Sequence, residues 1–185
     1  KANIASYNMS FKKGETVVKE MIRDVPDFPK KGIIFKDITP LLGDPFTFQK
    51  MINTLKDRYA DKQLDLVVGV EARGFIFASA LAYALSIGVV MIRKPGKLPY
   101  KTFQETYSLE YGTDTVEVHQ DAFRDGQNIL IIDDVLATGG TLSATLDLIQ
   151  KNFKNVKVLE AAFLIELDFL NGREKLKDTP VYSII

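Results

Sequence analysis

Three short apolar runs, LDLVVGV (64–70), VVMIR (89–93) and NILIIDD (128–134), run out into EARG, KPGK and VLATGGT. Valine- and isoleucine-rich runs this short, without polar alternation, are buried on both faces, and that points to strands of a parallel sheet. Parallel strands need crossovers, and the stretches between the runs supply them. GFIFASALAYALSIG (74–88) is alanine-rich and apolar nearly all round, which predicts a buried helix closed by a C-terminal glycine. GGTLSATLDLIQKNF (139–153) reads as the helix after the third run, VKVLEAAFLIEL (156–167) as a fourth strand and PVYSII (180–185) as a fifth. The rhythm predicts an α/β fold with a mainly parallel sheet flanked by helices.

Two stretches stand outside this rhythm. DVPDFPKKGIIFKDITPLLGDP (24–45) carries four prolines and two glycines and is expected to be ordered but irregular. Residues 15–24 before it read as a short helix. FTFQKMINTLKDRYAD (46–61) reads as a longer one, with Phe46, Phe48, Met51, Ile52, Leu55 and Tyr59 at helical spacing. Residues 94–127 begin KPGKLPYK, continue with the β-prone TFQETYSLEYGTDTVEVH and end in the turn-like RDGQ. They predict a two-stranded excursion carrying a mobile loop. No repeat, low-complexity tract or linker interrupts residues 1–185, so a single domain is expected.

Composition removes several kinds of chemistry. There is no cysteine and one histidine, His119, so disulfides, thiolate catalysis and Cys/His metal cages are excluded. Basic and acidic residues balance at 24 each, which argues against a dedicated nucleic-acid surface. No apolar run approaches the roughly 18 residues that span a bilayer. KANIASYNMSFKKGE (1–15) lacks the apolar core of a signal peptide. A cytoplasmic protein with no nucleic-acid or membrane partner is expected; the chain opens on Lys1, and Met9 is a candidate internal start.

In a parallel sheet, ligands sit beyond the carboxyl ends of the strands. Three such ends carry unusual residues: EARG after Val70, RKPGK after Ile92 and DDVLATGGT after Ile132. Thr138-Gly139-Gly140-Thr141 opens a helix, where backbone N–H groups lack intrahelical partners and the helix dipole favours an anion. Taken alone, the turn reads equally well as a plain cap with Thr138 or Thr141 as N-cap. The adjacent acids Asp133 and Asp134 suit vicinal hydroxyls or a hydrated Mg²⁺, although acid pairs at strand ends also form phosphoacceptor pockets. A ribose 5-phosphate satisfies both halves, its phosphate in the turn and its hydroxyls on the acids.

IIDDVLATGGT resembles the phosphoribosyl-pyrophosphate signature of type I phosphoribosyltransferases. DFPKKGIIFKDITPLL, GVEARGFIFA, IRKPGKLP, YSLEYG and LIELDFLNGREKL narrow the resemblance to the adenine phosphoribosyltransferase family, over residues 20–185. That resemblance implies the type I phosphoribosyltransferase fold, with 24–45 as a base-binding hood segment and 94–127 as a flexible-loop excursion. It implies transfer of 5-phosphoribosyl from phosphoribosyl pyrophosphate to adenine, giving AMP and pyrophosphate, and a homodimer. The Mg²⁺ it implies is held mainly by substrate and water.

The same resemblance distributes roles along the chain. Ala137, Thr138, Gly139, Gly140 and Thr141 take the 5-phosphate, and Asp133 and Asp134 the ribose. Ala72, Arg73, Arg93, Lys94 and Lys97 take the pyrophosphate, with a cis peptide at Glu71–Ala72 and Arg93 reaching a neighbouring subunit. Adenine falls to Ile34, Phe35, Lys36 and Leu136: Phe35 stacks on it and the Ile34 backbone reads its edge. Glu110 assists N9 and Arg73 the leaving group, while Tyr107 and Tyr111 cover the site on loop closure. Lys36 stands where arginine is common, which keeps the charge but not the forked contact. Two other readings share the signature, a phosphoribosyltransferase for another base and a non-catalytic phosphoribosyl-pyrophosphate sensor. GIIFKD and EARGF speak against the first, and the neutral charge against the second.

Overall fold

In the computed structural model, which describes residues 17–176 and 178–185, the proline-rich stretch is a hairpin rather than an irregular segment. Strand β1 (Arg23–Pro26) pairs antiparallel with β2 (Ile34–Asp37), Arg23 opposite Asp37 and Pro26 opposite Ile34. Asp27 turns the chain at φ 57° and accepts the Gly32 N–H at 2.7 Å; the Phe28–Pro29 peptide is cis. In a two-stranded sheet each strand is an edge, so Pro26 is tolerated. Residues 17–20 are helical, and the helix expected over 15–24 gives way to β1. Its first two residues, the segment 1–15 and Met9 lie outside the described residues.

A short helix α1 (Thr39–Gly43) leads into α2 (Pro45–Tyr59). The Asp44 carboxylate accepts the Thr47 N–H at 2.7 Å at the start of α2. Its buried stripe runs Thr47, Met51, Leu55, Tyr59 at four-residue steps, with Ile52 beside it. Phe46 lies one position off that stripe and is 68% exposed, contrary to the spacing argument. The described residues fall into two compact units, one reaching to Leu55 together with Ile185 and the other running from Lys56 to Ile184.

The second unit holds the parallel sheet. Strands β3 (Leu66–Val70) and β4 (Gly88–Ile92) come first in sequence. A hairpin of β5 (Thr102–Ser108) and β6 (Thr113–His119) follows, and then β7 (Asn128–Leu136), β8 (Lys157–Glu166) and β9 (Val181–Ser183). The sheet order is β4-β3-β7-β8-β9 and every neighbouring pair is parallel. Helix α3 (Gly74–Leu85) connects β3 to β4, and α4 (Gly140–Asn152) connects β7 to β8. Val68, Val70, Ile92, Ile129, Ile131, Leu142, Leu146, Ala161 and Phe163 share one apolar cluster.

Two expectations about this unit change. Helix α3 buries Phe77, Ala78, Leu81 and Ala82 but leaves Ile76 40% and Tyr83 88% exposed, so its apolar composition does not mean burial all round. It closes on Ser86 in the left-handed conformation, and Gly88 begins β4 instead of capping the helix. The excursion is present, and outside its exposed tip it is fastened to β4 and to the end of α4. Arg93 and Glu117 exchange backbone hydrogen bonds of 3.0 and 2.8 Å, pinning β6 to the end of β4. Phe103 meets Phe153 edge-on at 5.5 Å, at the end of α4. Among the described residues no helix is long and apolar enough to cross a membrane.

Candidate active site

The strand order places the ends of β4, β3 and β7 side by side, so RKPGK, EARG and the acid–glycine stretch are neighbours because the sheet is parallel. Strand β7 continues two residues past the acids, to Leu136, before the glycine turn. Helix α4 then starts from Gly139, which is left-handed at φ 80° and supplies no side-chain cap. The capping reading with Thr138 or Thr141 as N-cap therefore fails, and the first N–H groups of α4 face a turn without a side-chain acceptor. A cleft at this point is lined by Asp133 and residues 137–141 of the turn, together with Val135, Leu136, Leu142 and Phe163.

Backbone packing fixes the shape of the turn. A Cβ on Gly139 would collide with the carbonyl oxygen of Gly172, and one on Gly172 would collide with that of Ala137. The two glycines let the LNGREKL segment press directly against the turn. Gly172 is a positioning residue that residue-by-residue reading of the signature does not reveal, since it lies more than thirty positions downstream.

The acid pair divides. Successive strand residues point to opposite faces, and only Asp133 lines the cleft. Asp134 is 3% exposed and its Oδ2 accepts the Arg73 Nε–H. Asp133 Oδ1 accepts the Asp134 N–H at 2.8 Å. Burial, and then the Asp134 charge, push the Asp133 carboxyl well above the usual carboxylate range, while Arg73 works against them. The EARG turn reaches this spot because Gly74 has no side chain: a Cβ there would lie 2.9 Å from the Ile132 carbonyl and 3.0 Å from Asp133 Oδ1.

Around EARG and RKPGK the basic residues are already organised by acids. The Glu71–Ala72 peptide is cis and Ala72 is exposed. Glu71 accepts the Lys94 N–H at 2.8 Å and the Arg93 Nε–H at 3.2 Å. Burial acts to raise the Glu71 pKa, but these two bonds and the Arg93 charge prevail and its direction is downward. Arg93 thus binds Glu71 of its own chain, and it also donates to the Lys97 carbonyl at 3.3 Å. Lys97 is exposed. The Lys94 ammonium binds Asp114, on β6. Glu71 and Asp114 are the residues that motif reading missed as partners; each is an acid whose role appears only when two segments come together.

The remaining expected residues are spread over both units. In the first, Ile34 is 58% exposed on β2, Phe35 meets Phe28 edge-on at 5.2 Å and Lys36 Nζ binds Asp24 Oδ1 at 2.6 Å. In the second, Glu110 and Tyr111 stand exposed in the tip of the hairpin, which closes with Leu109 N–H on the Gly112 carbonyl at 2.9 Å. Tyr107 is instead tucked inward, its hydroxyl 2.9 Å from Thr141 Oγ1. Leu136, expected on the base, is 2% exposed and packs in the apolar core, and it also lines the cleft beside the glycine turn. His119 accepts the Tyr100 N–H at 3.3 Å and has a structural use at the base of the hairpin.

Fold, glycine turn and acid pair define a phosphoribosyltransferase of the parallel-sheet type, and the family described as "Phosphoribosyl transferase domain" matches residues 46–185. The adenine phosphoribosyltransferase of Geobacter metallireducens is 57% identical over 168 residues, 91% of this chain and 97% of that protein. The chain belongs to the adenine phosphoribosyltransferase family. Its fold matches the crystal structure of that enzyme from Thermoanaerobacter pseudethanolicus with a TM-score of 0.88 at 48% identity, covering 92% of this chain and 98% of the other. The Saccharomyces cerevisiae enzyme, solved in complex with adenine and an imino-altritol bisphosphate, matches with a TM-score of 0.87 at 39% identity, covering 94% and 99%.

Proposed function

We infer that this chain moves 5-phosphoribosyl from phosphoribosyl pyrophosphate to N9 of adenine, giving AMP and pyrophosphate. The observation that carries the reading is the turn at Gly139, uncapped by any side chain and bordered by Asp133 at the end of a parallel strand. The turn holds the 5-phosphate through backbone N–H groups and threonine hydroxyls, a remote contact that fixes the reacting carbon. Asp133 takes the ribose hydroxyls. Asp134 acts one step back, aiming Arg73 at the pyrophosphate, with Lys94 and Lys97 beside it. As the bond from C1 to the pyrophosphate oxygen breaks and that to N9 forms, Glu110 receives the N9 proton once the hairpin tip folds over.

The Ile34 backbone and the Phe35 ring take the base. An N–H and a C=O match the N1 acceptor and 6-amino donor of adenine and mismatch 6-oxopurines, which would leave buried polar groups unpaired. Among the described residues no group of three or more His, Cys, Asp or Glu is arranged to hold a metal. Asp133 nonetheless offers a hard oxygen at the rim of the cleft, which fits Mg²⁺ bound chiefly through substrate phosphates and water. A Mg²⁺ held there would supply charge neutralisation to the pyrophosphate. A homodimer and a cytoplasmic location complete the reading.

The test is pyrophosphate release from phosphoribosyl pyrophosphate and Mg²⁺ with each purine in turn. Adenine alone is expected to support turnover. Turnover with hypoxanthine but not adenine overturns the substrate, and binding of the donor without turnover on any base makes the chain a sensor.

A further inference from the structure

Two side chains join the cation expected on the pyrophosphate to the turn expected on the 5-phosphate, and neither belongs to the signature. Asp114 lies opposite Tyr107 in the hairpin register. Its Oδ2 accepts both the Lys94 ammonium and the Tyr107 hydroxyl, the latter at 3.2 Å. Its Oδ1 accepts the Thr115 N–H at 2.8 Å, which holds the carboxylate in place. The Tyr107 hydroxyl is also 2.9 Å from Thr141 Oγ1 in the glycine turn. The Lys94 and Asp114 side chains are 39% and 31% exposed, so an incoming anion can reach the pair.

We propose that Asp114 is a positioning residue that competes with pyrophosphate for the Lys94 ammonium, its grip set through Tyr107 by the state of Thr141. The proposal rests on the reading of Lys94 as a pyrophosphate ligand. The Asp114 carboxylate gives the Lys94 ammonium a counter-charge and keeps it oriented. Burial acts to neutralise Lys94, but the Asp114 hydrogen bond reverses this and keeps the ammonium charged.

Counting protons gives the direction of the coupling. Tyr107 and Thr141 have one hydroxyl proton each. Tyr107 donates to Asp114, so its one proton is used there and Thr141 must donate to Tyr107. A phosphate in the turn accepts only, and the Thr141 hydroxyl turns to donate its hydrogen bond to it. Thr141 then accepts from Tyr107, and Asp114 is left with Lys94 as the donor on Oδ2, which it holds more tightly. A filled phosphate turn therefore strengthens the competitor of pyrophosphate. The consequence for the reaction is that pyrophosphate leaves more readily while AMP still occupies the turn.

The experiment measures the dissociation constants of pyrophosphate and ribose 5-phosphate by calorimetry, each alone and together, with Mg²⁺ throughout. Proteins are wild type, Asp114→Asn, Tyr107→Phe and Lys94→Ala. Asparagine keeps the Oδ1 acceptor for Thr115, and phenylalanine keeps the ring packing, so both variants should fold. Asp114→Asn is expected to bind pyrophosphate about tenfold more tightly, the scale of one charge-assisted hydrogen bond. A merely structural lesion weakens binding and does not tighten it at one end. Ribose 5-phosphate should weaken pyrophosphate binding more in wild type than in Tyr107→Phe, because simple repulsion between the two anions is common to both. Normal wild-type binding with unchanged or weaker pyrophosphate affinity in Asp114→Asn overturns the competition, and equal coupling in Tyr107→Phe overturns the relay. Unaltered affinity in Lys94→Ala removes the underlying reading of Lys94 and the proposal with it.

Discussion

A partly buried carboxyl group beside a second carboxylate works against the fold at neutral pH, so Asp133 should be a place where stability is given up for binding. Its pKa is raised, by burial first and then by Asp134. A carboxyl with a raised folded pKa stabilises fully below its unfolded pKa, and that contribution is lost as pH rises through the folded value. Asp133→Asn keeps the acceptor for the Asp134 N–H and removes the charge. It is expected to raise the melting temperature by about 2–4 °C near pH 8, the size of roughly 1 kcal/mol in a chain of this length. The gain should vanish near pH 3, where the aspartate is protonated in both states; a variant less stable at pH 8 would refute this. Affinity for phosphoribosyl pyrophosphate should fall about tenfold or more, from lost charge-assisted bonds. Glu110 makes the opposite case: it is exposed, so Glu110→Ala should leave stability and donor affinity alone and cut turnover by about 10²-fold or more. Unchanged turnover would remove it from the mechanism. Much of the site was legible at this scale because TGGT and DD are local patterns. The division between Asp133 and Asp134 was not, since it depends on which face each strand residue meets and on Arg73, sixty positions earlier.

Elements are fastened by a few polar groups that sequence patterns do not announce. The end of α2 is tied to β8 by Arg58, which donates to Glu160 at 2.8 and 2.7 Å, and by the Tyr59 hydroxyl at 2.6 Å. The Arg58 guanidinium lies 3.9 Å from the centre of the Tyr182 ring, next to β8 on β9. Burial acts to raise the Glu160 pKa, and the Arg58 and Tyr59 bonds override it, so its direction is downward. The stabilisation is present above the ordinary glutamate range and is lost as pH falls through the folded value. Glu160→Gln is expected to cost about 1–2 kcal/mol near pH 7, reduced from a fully buried pair because the Arg58 side chain is partly exposed. Denaturant titration should show that loss shrinking below about pH 4; a loss independent of pH would mean that packing, not charge, is at stake. The parallel strands were legible because double-sided burial writes itself as unbroken apolar runs. The β1–β2 hairpin was not, because its strands have four residues each and its turn is closed by the Asp27 side chain on Gly32 together with backbone bonds of Ile33 to Phe28 and Lys30.

At the scale of the whole molecule, the outer face of α3 and the edge strand β4 remains apolar and uncovered: Ile76 is 40%, Tyr83 88%, Val89 44% and Met91 44% exposed. Exposed apolar residues on one helix and the adjoining sheet edge are a liability in a monomer and a resource in an isologous dimer. Placing like charges there, with Tyr83→Lys and Met91→Lys together, is expected to convert a wild-type species of twice 20.7 kDa into a monomer in sedimentation velocity. A wild type that sediments as a monomer would remove this face from consideration. The same pair of proteins also decides where Arg93 acts. Its guanidinium is held by Glu71 of its own chain at 3.2 Å, so a role at the pyrophosphate end of its own site predicts that a second copy is not needed. The monomeric variant should therefore bind pyrophosphate within about twofold of wild type, as expected for changes distant from a site. A larger loss, matched by Arg93→Ala in the wild-type background, would mean that the arginine leaves Glu71 on assembly and completes the partner's site.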